Sequence, residues 1–285
     1  MGFYIVGLYT SITTGNHRKV TDLAEQKDVA SRYDDTADSF DSEVGVTELL
    51  MGINGIRQKL AARCKGHVLE VSCGTGRNLG YYDIGKDGKV DSLCFVDLSP
   101  QMVEVCRKKW AALFGSEKAS SKLKPTLNVR FVTGSALSNM PLAPNDKKYD
   151  TIIQTMGLCS TPCPVQLLTN MVTHLNTSNP EARILLLEHG RSYMPWLNSW
   201  IDVSAQAHAE KHGCWANRDI GALVQEAADQ SGLEVMNERR HHAGTTWMFE
   251  LKAKPEIANT QAAVPTVTTP EPAESKSWLS MLGWK

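Results

Sequence analysis

From residue 67 to residue 251, short apolar stretches alternate with amphipathic ones, and this alternation constrains the chain more than any other feature. Strand-like runs fall at 67–72, 92–97, 129–133, 149–154 and 183–188. They are short and rich in Val, Ile, Leu and Phe. A glycine turn and a helix are expected after the first. The clearest helix starts at "SPQMVEVCRKKW", where Ser99 can cap the first turn and Pro100 takes the first helical position. "VQLLTNMVTHL" and residues 220–232 read as two more helices, and residues 233–238 and 246–251 as two closing strands. Strands separated by helices pair in parallel through right-handed crossovers. The expected fold class is α/β, a doubly wound and mostly parallel Rossmann-like sheet.

Ahead of the first strand, charged and apolar residues alternate at helical spacing around the acidic run "YDDTADSFDSE". Gly45, Gly52 and Gly55 interrupt the pattern, so two or three short N-terminal helices are expected. Three regions follow from composition: an apolar segment over 1–20, a folded domain over 21–254, and a tail over 255–285. The first contains "GFYIVGLYTSI", too short for a spanning helix, which needs about 17–25 residues. It reads as a buried or membrane-surface segment, or as the remnant of a membrane anchor whose upstream half is missing from this chain. The tail is rich in Pro, Thr and Ala without an apolar period, so disorder is expected until "SWLSMLGWK". That ending reads as a segment folded back on the core, or as a peptide that docks a protein partner or a membrane surface.

The 285 residues suffice for a buried core, and 30 basic against 31 acidic side chains give a net charge of -1. A chain built to grip nucleic acid carries a basic excess, so no nucleic-acid partner is expected. The seven cysteines are an odd number with no CxxC pair, which reads as reduced thiols rather than a disulfide framework. No zinc spacing is present.

The stretch "HVLEVSCGTGRN" raises the question of which nucleotide its turn holds. Dinucleotides, phosphate tails and S-adenosylmethionine (SAM) all use glycine after a first strand. The dinucleotide fingerprint G-x-G-x-x-G requires a third glycine where this chain has Leu79, and no Lys-Ser or Lys-Thr of a P-loop follows. What remains is Glu70, the glycines 74 and 76, and Asp97 at the end of the second strand. A carboxylate there can accept both hydroxyls of a ribose.

"VLEVSCGTGRN", "FVDLSPQMVEVCRKK", "YDTIIQTMGLCS" and "RILLLEHGRS" resemble, in order, the successive motifs of class I SAM-dependent methyltransferases, over about residues 30–254. The resemblance implies SAM as cofactor, bound by Glu70, Ser72, Gly74 and Gly76 at its methionine end. It implies Asp97 on the ribose, Leu98 and Met102 beside the adenine, and Ser135 and Ala136 as a further adenine contact. Ser135 stands where an Asp is common in that family. Gln154 and Thr155 would face the methyl group and substrate. "ADSFD", "LLMGINGIRQKL", "EHG" and "HGCWANRDI" are similar to a narrower branch, that of mitochondrial Oms-type proteins and membrane-associated alkyl thiol methyltransferases. This implies a mitochondrial, membrane-associated protein; the expected acceptor is a small, apolar one such as a thiol or a quinone-like ring. The glycine pair usual before the fifth strand is replaced by "NTSNPEA".

His189, just beyond the fifth strand, is the candidate catalytic base, because a histidine titrates near neutral pH. Hydrogen bonding to backbone at the strand end is its structural alternative. His208 and His212 share a helical face with Asp202 nearby, without a third ligand at fixed spacing, and no metal is expected. Tyr193, Trp196 and Trp200 suit either a lid over an apolar acceptor or helical core packing. Cys159 and Cys214 read as buried thiols or as thiols of the site. A SAM-dependent methyltransferase is the expected function. The rivals are a dinucleotide oxidoreductase, an RNA methyltransferase, and an inactive methyltransferase-fold scaffold or assembly factor at a mitochondrial membrane.

Overall fold

The computed structural model describes residues 19–138 and 140–255. The apolar start "GFYIVGLYTSI" and the tail ending in "SWLSMLGWK" lie outside the described residues. Three short helices precede the sheet: α1 (Arg32–Thr36), α2 (Phe40–Leu50) and α3 (Ile53–Ala61). Gly52, with φ at +67°, turns the chain between α2 and α3, a left-handed conformation that costs glycine little.

Seven strands form one sheet: β1 (Gly66–Val71), β2 (Val90–Asp97), β3 (Asn128–Thr133), β4 (Thr151–Thr155), β5 (Arg183–His189), β6 (Leu233–His241) and β7 (Thr246–Ala253). Their order is β3-β2-β1-β4-β5-β7-β6. The first five pair in parallel, and β7 runs antiparallel between β5 and β6. The crossover helices are α4 (Pro100–Phe114), with the short α5 (Glu117–Ser120) after it, then α6 (Pro164–His174), α7 (Pro195–His212) and α8 (Ile220–Ser231). Ser99 caps α4 as expected, its Oγ accepting from Met102 N at 3.1 Å, with Pro100 at the first position.

Alternation along the strands fills two cores. Leu69, Val71, Ile152, Ile184 and Leu186 face α6 and α8, while Val68, Phe95, Ile153, Leu185 and Leu187 face α3 and the stretch after β1. Each such fully buried side chain contributes about 1.5–3 kcal/mol.

One expectation is corrected. No α-helix follows the glycine turn; the chain makes only a 3₁₀ turn at Leu79–Tyr81 before reaching β2. Gly80, Gly85 and Gly88 make this stretch a poor helix, and Leu79, Tyr82 and Ile84 cover the sheet beside α3 instead. At "NTSNPEA", the side-chain amides of Asn176 and Asn179 donate to Asp150 Oδ1 at 3.1 and 2.8 Å, shaping the turn that the missing glycines would otherwise make.

Candidate active site

The sheet order reverses between β1 and β4, and a cavity of about 670 Å³ lies at the carboxyl ends of the strands there. Loops leaving neighbouring strands in opposite directions part at such a point and open a crevice. Gly74 and Gly76 carry φ of +52° and +75°. A Cβ at Gly76 would come within 2.6 Å of Cys106 Sγ and 2.7 Å of Leu79 Cδ1, so the turn closes only around glycine. A Cβ at Gly74 would meet nothing within 4 Å, and Gly74 borders the cavity, so the space above it is left to a ligand. Ser72 and Met156 also border the cavity in left-handed conformations, at φ of +54° and +62°. Such residues cost about 1–3 kcal/mol each, and here they sit at the ends of β1 and β4.

Asp97, at the end of β2, lines the cavity half-buried. Its Oδ2 accepts from Gly74 N at 2.8 Å and its Oδ1 from Ser99 N at 3.0 Å. Desolvation raises its pKa above the ordinary carboxylate value, against the opposing effect of these backbone donors. A carboxylate has about four acceptor sites, so room remains for two hydroxyl donors. Leu98, Met102, Ser135 and Ala136 line the same half, Leu98 57% exposed at the rim and Met102 buried beneath.

A cavity with an acceptor-only carboxylate, a glycine floor and apolar walls fits the adenosine of SAM. A methyltransferase domain model matches residues 51–237. The chain belongs to the methyltransferase domain family. "Methyltransferase OMS1, mitochondrial" of Saccharomyces cerevisiae is 35% identical to it over 242 residues, covering 81% of this chain and 47% of the yeast protein. The chain thus spans about half the length of that curated relative. Among solved structures it is similar to an O-methyltransferase from neocarzinostatin biosynthesis in complex with SAM and 2-hydroxy-5-methyl naphthoic acid. That match has a TM-score of 0.53 at 18% identity, covering 89% of this chain and 69% of the other. It is also similar to a mitomycin 7-O-methyltransferase, with a TM-score of 0.50 at 15% identity, covering 88% of this chain and 67% of that one. At such identities the likeness is one of fold.

Not every residue picked out in the methyltransferase sequence borders the cavity. Glu70, beneath the glycine turn, and Gly76, within it, are buried away from the cavity. Glu70 Oε2 accepts from the Tyr82 hydroxyl at 2.5 Å and Oε1 from Asn78 Nδ2 at 2.8 Å; burial lifts its carboxyl to about 7. Gln154 is fully buried and also absent from the lining. Its Nε2 donates to Ser72 Oγ at 3.2 Å, while its Oε1 has no partner among the described residues. Its neighbour Thr155 does line the cavity, because successive strand residues point to opposite faces.

The N-terminal helices supply what sequence reasoning missed. Arg57, on α3, borders the cavity at 4% exposure and donates to Thr155 Oγ1 at 2.7 Å. Its Nη2 meets Glu48 Oε1 at 2.9 Å, and Arg77 Nη2 meets Glu48 Oε2 at 2.7 Å. Asp41 accepts from Thr75 Oγ1 at 2.6 Å and also pairs with Lys109. Glu188 accepts from the backbone N–H groups of Gly157 and Leu158 at 3.1 and 3.0 Å, holding the loop that leaves β4.

His189, at the end of β5, lines the far half of the cavity with Phe40, Val44, Met51 and Met156. Burial lowers its pKa to about 4, so its ring is neutral at pH 7. His208 and His212 border this half too, with ring centroids 4.8 Å apart, and burial takes His208 down to about 3. No cluster of three or more metal-ligating side chains occurs among the described residues. Tyr193, Trp196 and Trp200 are 59%, 63% and 51% exposed and border no part of the cavity, so they form neither lid nor core. With 18 residues α7 is roughly 27 Å long, and only its C-terminal end reaches the cavity.

Proposed function

We propose that this chain is a SAM-dependent methyltransferase acting on a small, apolar acceptor carrying a thiol or a quinone-like ring. The far half of the cavity carries this reading: Phe40, Val44, Met51 and Met156 offer an apolar wall, and His189 is its neutral base. In this reading Asp97 takes the ribose hydroxyls of SAM, with Leu98, Met102, Ser135 and Ala136 around the adenine. Ser72 and Gly74 let the methionine end pass, and Arg57 and Arg77 bring positive charge to its carboxylate. Glu70, Gly76 and Gln154 support this floor from below.

Bound SAM supplies an electrophilic methyl group on a sulfonium sulfur. The chain's part is to hold the acceptor atom in line with that carbon, an orientation effect worth up to about 7–11 kcal/mol in favourable cases. His189 Nδ1 or Nε2 takes the proton that a thiol or phenol must lose. The apolar wall keeps water from competing as acceptor.

The mitochondrial setting of the yeast relative extends to this chain as part of the proposal. The membrane surface does so too, on a separate observation. Val46, Leu49 and Leu50 are 63%, 68% and 61% exposed on the outward side of α2, whose inward side borders the cavity. An apolar acceptor could pass from a bilayer along that helix. Among the described residues no helix is long and apolar enough to cross a membrane. The tail is proposed to dock a protein partner.

Incubation with methyl-labelled SAM and a panel of alkyl thiols and quinols tests the reading. Label is expected in the organic product, and His189→Ala is expected to reduce transfer by about 10²–10⁴-fold. Binding of S-adenosylhomocysteine with no transfer to any small acceptor would overturn it in favour of the scaffold reading.

A further inference from the structure

Two thiols far apart in sequence meet in the wall of the cavity. Cys159 lies on the loop after β4 and Cys214 on the loop after α7. Both border the cavity, and both are buried in one small cluster with Ile201 and Ala216. The backbones run side by side there, with Trp215 N donating to Cys159 O at 2.9 Å. Tyr33 bridges the same two loops through the neighbouring residues, its hydroxyl 2.7 Å from Ser160 Oγ and donating to Gly213 O at 3.0 Å. Arg218 closes the arrangement from below, donating to Thr161 O at 2.7 Å and also to Leu158 O.

We propose that Cys159 and Cys214 are a redox modification site, a dithiol that a hydroperoxide converts reversibly to a disulfide. The chemistry needs one thiol that ionises readily and a second within reach of it. The neighbouring Cys214, with Ser160 Oγ at 3.5 Å and the Arg218 guanidinium, draws the Cys159 thiol below its ordinary range against the opposing effect of burial. Cys214 shifts the opposite way, as a resolving thiol that stays protonated until it attacks. In the first step the Cys159 thiolate attacks the peroxide O–O bond, giving a sulfenic acid and releasing hydroxide or alkoxide. In the second the Cys214 sulfur displaces the sulfenic hydroxyl, an S–S bond forms, and its proton leaves with that hydroxyl as water. Two electrons pass from the sulfurs to the peroxide. The cavity gives the oxidant its approach, and the product ties the β4 loop to the α7–α8 loop where they wall the cavity.

The chain carries its own comparison. Cys73 and Cys106 are also buried together in one cluster, but Cys106 borders no part of the cavity. Proximity alone would oxidise both pairs alike, whereas approach from the cavity to both sulfurs selects Cys159 and Cys214.

The test is peroxide titration of the reduced full chain, quenched by alkylation in denaturant and read by peptide mapping. A Cys159–Cys214 disulfide is expected before any Cys73–Cys106 disulfide, removed by dithiothreitol and unaffected by Cys163→Ser at the exposed thiol. In Cys214→Ser a dimedone adduct should appear on Cys159 instead. Cys159 and Cys214 still alkylated as free thiols when Cys163 is oxidised, or a Cys73–Cys106 disulfide forming first, would overturn the proposal. The readout is the sulfur bond itself, so failure of the acceptor reading leaves it untouched.

Discussion

Burial holds the Glu70 carboxyl at about 7, against 4.5 for an ordinary glutamate. As pH rises above 4.5 the unfolded chain gives up this proton first, so Glu70 lowers stability progressively up to about pH 7 and not beyond. A shift of that size is on the order of 3 kcal/mol. Glu70→Gln should therefore flatten the fall in stability between those pH values, measured by urea denaturation and taken as a difference from the parent chain. His189 is displaced the other way, to about 4, and stays neutral well below its usual range. The acid limb of kcat/KM for a protic acceptor should then lie near pH 4 rather than 6.5, and it should vanish in His189→Ala while S-adenosylhomocysteine still binds. The turn at Gly74 and Gly76 and the place of Asp97 at the end of β2 were legible in the sequence, because local spacing fixes them. The place of Gln154 was not, since strand parity sends it under the floor and turns Thr155 to the cavity.

The acidic run between residues 33 and 43 and the basic position 57 read only as helix polarity in the sequence, and Arg77 only as part of the glycine-turn motif. In the fold they lock α2 and α3 onto the glycine turn, with Glu48 between Arg57 and Arg77 and Asp41 against Thr75. Nothing local announces this, because the partners come from separate elements and Arg57 is buried only after they assemble. Arg57→Met leaves Glu48 with one of its two cations and strips Thr155 of a donor. About 3–5 kcal/mol of stability should be lost, read as a lower urea midpoint, since breaking a buried pair strands a charge. The missing helix after β1 has a similar lesson. An α/β pattern predicts a crossover helix there, but glycines at 80, 85 and 88 remove it and α3 shares the cover of that face.

At the scale of the whole molecule, the strand alternation was enough to give the doubly wound sheet, because each parallel pair needs its crossover and the switch point follows from the order. The shape of the acceptor half was not available in the same way. It is assembled from α2, the loop after β4, the end of β5 and the last turn of α7, and its lining depends on how those pieces pack. The central claim is that the crevice between β1 and β4 binds SAM through Asp97. Calorimetric titration of the chain with SAM, S-adenosylhomocysteine and NADH, repeated with Asp97→Ala, tests it most directly. Binding of both adenosyl ligands but not of NADH is predicted. Asp97→Ala should weaken that binding about 10- to 100-fold, as expected for loss of hydrogen bonds to a charged group. A folded chain that ignores both adenosyl ligands, or binds them equally well without Asp97, would contradict the account.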